Sequence, residues 1–143
     1  MTRFVIASLA GAAALALSTQ PVMAKPAMLQ STLSGTEETT GGAQGGSGSF
    51  TGSLDAGSGD LCYELKVAGI GEPTAAHIHA GTKGADGAPV ATIEVTGEDG
   101  ELCLAIPVDA AKLIAADPGA HYVNVHTADF PNGAVRGQLE KAK

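Results

Sequence analysis

Short runs of alternating apolar and polar residues, separated by glycine-rich turns, fill the chain beyond its first two dozen positions. In extended backbone successive side chains point to opposite faces, so such alternation marks a strand with one buried face. The pattern predicts eight strands, near 28–33, 49–54, 61–67, 75–80, 90–95, 101–106, 122–127 and 134–139. Many short strands with turn signals between them indicate an all-β sandwich or barrel. One or two helical turns are expected at 109–116, with Asp109 as cap and Asp117-Pro118-Gly119 as the stop. Residues 35–48, rich in Gly, Ser and Thr, read as a long mobile connection. Pro131-Asn132-Gly133 reads as a hairpin turn, because Asn-Gly favours positive φ.

The opening residues break this pattern. Arg3, the apolar run 4–17 and Val22-Met23-Ala24 have the charge, length and small-residue ending of an export signal. The apolar run is short for a membrane span. Residues 1–24 are therefore expected to be a signal peptide and 25–143 the mature domain, placed in the periplasm or secreted. Without Arg3 the balance is 7 basic to 15 acidic residues. That excess of negative charge argues against nucleic acid or anionic lipid as partner. Phe50, Tyr63, Tyr122 and Phe130 are the mature chain's aromatic residues, so the core must be built mainly from Val, Leu, Ile and Ala.

Cys62 and Cys103 are the two cysteines, and an oxidising compartment favours a disulfide between them. Such a bond would add roughly 3–4 kcal/mol in the chain-entropy description. Two free thiols or a thiolate metal site are the alternatives. Leu61, Tyr63, Leu65 and Val67 form one apolar face, which leaves Cys62 on the other; Leu102, Leu104 and Ile106 do the same for Cys103. Two outward cysteines can bond only with Cα atoms within about 7 Å. The third and sixth strands are thus expected to be neighbours, with the bond outside the core.

The same phase argument bears on the histidines. In Ala76-His77-Ile78-His79-Ala80, His77 and His79 share one face and Ile78 takes the other. In His121-Tyr122-Val123-Asn124-Val125-His126, residues Tyr122, Asn124 and His126 oppose the valines, and His121 falls on the valine side. With Ile78 and the valines in the core, three imidazoles and an amide face outward. Neutral imidazole suits copper and zinc, and the affinity order favours copper. Tyr122 and Asn124 could orient a ring from behind. The competing reading is a hydrogen-bonded cluster in which these rings hold the 81–89 loop over the sheet.

Taken together, these motifs resemble the CHRD domain, named after chordin and also found in bacterial exported proteins. The resemblance runs from Leu33-Ser34-Gly35 with Glu37 and Glu38, through Leu61-Cys62-Tyr63-Glu64-Leu65 and Ala76-His77-Ile78-His79-Ala80-Gly81. It ends in Tyr122-Val123-Asn124-Val125-His126-Thr127, Phe130-Pro131-Asn132-Gly133 and Val135-Arg136-Gly137-Gln138-Leu139. Residues 41–46 depart from the family's proline-bearing segment. The resemblance implies an eight-stranded Greek-key, immunoglobulin-like barrel with limited similarity to copper/zinc superoxide dismutases, and no general activity. In the dismutase barrel the third and sixth strands are neighbours, as are the fourth and seventh. Its fourth strand carries an outward His-x-His and its seventh a His, all copper ligands.

Three roles follow. The first is an exported binding module for a protein or matrix component; the second is a copper- or zinc-binding protein using His77, His79 and His126. The third, a dismutase-type enzyme, lacks support, because the loop after the fourth strand offers Lys83 and Asp86 and no histidine for a second metal. No catalytic residue is assigned. Arg136 is expected to point outward with Gln138 and to pair with an acidic neighbour or the turn, whereas Glu37 and Glu38 are expected to be solvated in the mobile loop.

Overall fold

The computed structural model describes residues 25–97 and 100–143; the expected signal peptide, residues 1–24, lies outside the described residues. The strands are β1 (Ala27–Ser34), β2 (Ser47–Leu54), β3 (Asp60–Ala68), β4 (Pro73–Ala80), β5 (Pro89–Ile93), β6 (Leu102–Ala105), β7 (His121–Thr127), β8 (Val135–Gln138) and β9 (Glu140–Lys141). They form one curled antiparallel sheet in the order β5-β4-β7-β8-β1-β2-β3-β6, with β9 on β1. The fold is all-β and barrel-like, as the alternation predicts. Tyr63 ties the β3 and β5 ends of the sheet together, its hydroxyl accepting from Glu94 N at 2.8 Å and lying 3.2 Å from Glu94 O. Thr96 N adds a bond to Leu65 O.

Inward residues of every long strand make the core, led by Leu29, Leu33, Phe50, Leu61, Leu65, Ile78 and Val123. Phe50 and Tyr63 stack at 5.6 Å and supply most of its aromatic surface. The cysteine phase also holds. Cys62 and Cys103 are directly paired on β3 and β6 and bonded, with Cα atoms 4.0 Å apart. The bond lies on the outer side of the sheet, and both β3–β6 and β4–β7 are neighbours.

Several expectations need correction. The expected eighth strand is β8, and Leu139 N–H continues its pairing with β7 at His121 O; residues 140–141, beyond the expected run, form a ninth strand on β1. Leu102 is exposed rather than core, because β6 is an edge strand. Helix α1 (Val108–Ala116) starts after Pro107, and Asp109 sits within its first turn, where its charge favours the helix dipole without capping it. The turn near 131 is centred on Pro131-Asn132, with Gly133 N bonded to Phe130 O. Gly133 there has φ +136°, while no non-glycine residue has positive φ among the described residues.

The largest correction concerns residues 35–46. Ser34 Oγ caps a 3-10 turn at Gly35–Glu37 by accepting from Thr36 N. Ala43 N then bonds Ala134 O, and Gly35 N bonds Gly46 O, so the segment is laced to β1 and β8. Gly35, Glu38, Ala43 and Gly46 are buried. Glycine serves close approach here: a Cβ at Gly42 would lie 2.5 Å from Ala134 O and 2.7 Å from Glu38 Cγ.

Candidate metal centre

The three outward histidines meet. Antiparallel register sets His77 opposite Asn124, His79 opposite Tyr122 and Ala75 opposite His126, which puts His126 diagonal to His77 on the same face. One ring nitrogen of each histidine lies within 4.8 Å of the other two. His77 Nδ1 and His126 Nε2 are 3.2 Å apart. His121, on the opposite face, is buried with Nδ1 at 3.0 Å from Asp117 O, so its exclusion holds.

Backbone carbonyls fix the protons. A carbonyl can only accept, so His79 Nδ1 carries its hydrogen toward Gly87 O at 2.8 Å, and His126 Nδ1 toward Pro131 O at 2.9 Å. In the neutral rings both Nε2 atoms are then bare acceptors. His126 Nε2 takes the His77 Nδ1 hydrogen. His79 Nε2 is buried and has no hydrogen-bond partner. Burial, followed by the neighbouring imidazoles, holds the His77 pKa below its usual 6.5. For His79 burial also lowers the pKa, against an upward pull from the Gly87 carbonyl. Both keep the rings neutral near pH 7, the form in which they can ligate.

Behind the rings lies a buried polar network. Tyr122 stacks on His79, with centroids 4.9 Å apart and planes 9° apart, and its hydroxyl accepts from Gly87 N. The Arg136 guanidinium sits 4.4 Å over the Tyr122 ring. Glu38 accepts from Asn124 Nδ2 at 2.6 Å on one oxygen and from Arg136 Nε at 3.0 Å on the other. Burial raises the Glu38 pKa, while the bonds and charge of Arg136 pull it down. Arg136 also donates to Ala85 O and to Asp86 Oδ1 at 2.6 Å, and the bonds from Arg136 and Thr39 hold the Asp86 carboxyl below its usual range. Gly133 is needed where this network passes the turn, since a Cβ would lie 2.5 Å from both Glu38 oxygens.

A family model for the CHRD domain matches residues 29–139, most of the chain. The chain belongs to the CHRD domain family. No curated protein and no solved structure matches it.

Within this CHRD domain, sequence reasoning located His77, His79, His126 and Tyr122 as neighbours. Asn124 is there too, but its amide faces Glu38 instead of a histidine ring. Arg136 does pair with acidic side chains, although it is 6 % exposed and so lies under cover, not in solvent. Glu38 is the residue that sequence reasoning misplaced. It is buried at 7 % exposure, while Glu37 pairs with Lys83 nearer the surface. Its place in the Leu33-Ser34-Gly35…Glu38 motif was the available signal. The gly-rich composition around it pointed the other way.

Proposed function

We propose that this CHRD domain is an exported metal-binding module that takes one copper or zinc ion on His77, His79 and His126. The observation that carries the reading is His79 Nε2: a buried, bare nitrogen without a partner, facing two other imidazoles. A buried acceptor left unsatisfied costs about 1–3 kcal/mol, and a cation is the partner that would satisfy it. The donor set fits. Bonds near 2.0–2.1 Å at tetrahedral angles give nitrogen separations of about 3.3 Å. His77 and His126 are already at 3.2 Å, and one nitrogen of each of the three rings lies within 4.8 Å of the other two. His79 and His126 would offer Nε2 without losing their carbonyl bonds, and His77 would offer Nδ1 after moving its hydrogen to Nε2. Three imidazoles leave a coordination position open, and copper is favoured over zinc by the general affinity order.

The hydrogen-bonded cluster accounts for the two Nδ1–carbonyl bonds and leaves His79 Nε2 without a purpose. A protein or matrix partner is the other role for an exported module. Export itself rests on the leader and agrees with the disulfide. Calorimetric titration of the metal-free protein with Cu(II) and with Zn(II) tests the reading. One-to-one binding, micromolar or tighter and weakened by orders of magnitude in His79→Ala, is expected. Binding that persists unchanged in His77→Ala and His126→Ala variants would reduce it to adventitious surface coordination.

A further inference from the structure

Arg136 stands on β8 opposite Asn124, beside the strand that carries His126 and one strand removed from His77 and His79, and makes no hydrogen bond to any of the three. Its contacts nevertheless lead to one. Nη1 donates to Ala85 O at 3.1 Å, and Nη2 to Asp86 Oδ1 at 2.6 Å, which pins the β4–β5 loop at two adjacent residues. The next residue, Gly87, gives its carbonyl to His79 Nδ1 and its N–H to the Tyr122 hydroxyl. A second path runs through the Tyr122 ring, which lies against Arg136 and stacks on His79. Both paths end at His79. Neither reaches His77 or His126.

We infer that Arg136 is the positioning residue for His79: it anchors the loop whose Gly87 carbonyl holds the His79 hydrogen on Nδ1 and leaves Nε2 bare. This deepens the metal reading and rests on it. The loop contains Gly81, Gly84 and Gly87 and is mostly exposed; its ends are tied by Gln138 Nε2 to Gly81 O and by Ala80 N to Ala88 O, and Arg136, with Thr39 on Asp86, holds the stretch just before Gly87. Glu38 and Asp86 occupy the guanidinium from the other side, so its charge is spent on holding two loops and not on attracting an anion. Groups that orient a metal-ligating imidazole change metal affinity by roughly 10–100-fold when removed.

The experiment is a double-mutant cycle in Cu(II) affinity, measured by competition with a chelator, on wild type, Arg136→Gln, His79→Ala and the double variant. Arg136→Gln is expected to weaken binding by roughly tenfold or more and to change the Cu(II) paramagnetic resonance spectrum. In the His79→Ala background the same substitution is expected to change nothing further. Nitrogen NMR of the metal-free protein adds a readout independent of metal: His79 is Nδ1–H in wild type and a tautomer mixture in Arg136→Gln. Because Arg136→Gln strands Glu38 and can unfold the chain, Asp86→Ala serves as a second variant; Asp86 is largely exposed, and a loss of a few-fold, again absent with His79→Ala, is expected. Equal losses with and without His79, or wild-type affinity and tautomer in either variant, overturn the inference while leaving the metal site standing. A wild-type protein that binds no copper overturns the metal reading itself.

Discussion

Two outer faces of the same sheet obey the same alternation and have come to opposite ends. On β1, β2 and β3 the outward residues Thr32, Ser49 and Thr51 lie in solvent, and Glu64 and Lys66 form an ordinary surface pair at 3.0 Å. On β4, β7 and β8 the outward residues His77, His79, Tyr122, Asn124 and Arg136 are half-buried or buried beneath residues 35–46 and the β4–β5 loop. Strand β7 is therefore buried on both faces, with His126 its most accessible residue. Alternation decides which side a residue faces; the loops decide what medium it faces. Polar side chains under cover must find partners, and that requirement assembled the Glu38–Arg136–Asn124 network and left His79 Nε2 bare.

Removing a charge from each face should separate them most strongly. Glu38→Ala removes the buried carboxylate of Arg136 and the acceptor of Asn124, leaving Arg136 only the more exposed Asp86, and is expected to destabilise the protein by about 3 kcal/mol, read from urea unfolding. The same change at Glu64 is expected to cost well under about 1 kcal/mol. Comparable losses would mean that the loop cover contributes nothing. Next comes the disulfide on the open side. Its loop spans 41 residues, so reduction is expected to cost about 2–4 kcal/mol through the unfolded state while leaving metal affinity unchanged. A large affinity loss on reduction would couple the two faces and blur the distinction.

Acid provides a third test. The folded protein holds His77 and His79 below 6.5, so the unfolded chain binds more protons as pH falls from that value toward the folded pKa. Stability contributed by the neutral rings is present above pH 6.5 and is lost on acidification through that window. Glu38, raised by burial, has the opposite sign at lower pH, where protonation relieves a buried charge. The metal-free protein is expected to lose urea resistance below about pH 6.5, and a His77→Ala/His79→Ala variant to lose less. An equal slope in the two proteins would place the acid sensitivity elsewhere. A smaller effect is expected at Tyr122→Phe, which keeps the ring on His79 but deprives Gly87 N–H of its acceptor: about 1 kcal/mol in unfolding. Thr51→Ala, in solvent, should stay within about 0.5 kcal/mol.

What the sequence made legible was local. Period-two alternation located eight of the nine strands to within a few residues, and the phase of two cysteines fixed one pair of neighbours without any template. The same phase put His77, His79 and His126 on one face and His121 on the other. What it hid was coverage. Glu38 meets Arg136 across 98 positions, and nothing in the composition of residues 35–48 signals that contact. Glycine and serine there suggest mobility, yet Gly42 is required because the segment packs against Ala134 and Glu38. Strand β9 posed the same problem on a smaller scale, since Glu140 and Lys141 are strand only because they meet Gln30 and Leu29 of β1 at the other end of the chain.

Convergence of three imidazoles upon one ion is tested most directly by diffraction from a copper-soaked crystal at the copper absorption edge. One anomalous peak is expected, about 2 Å from His77 Nδ1, His79 Nε2 and His126 Nε2 together. A fully loaded crystal whose copper lies elsewhere, or touches His126 alone at the surface, would contradict it.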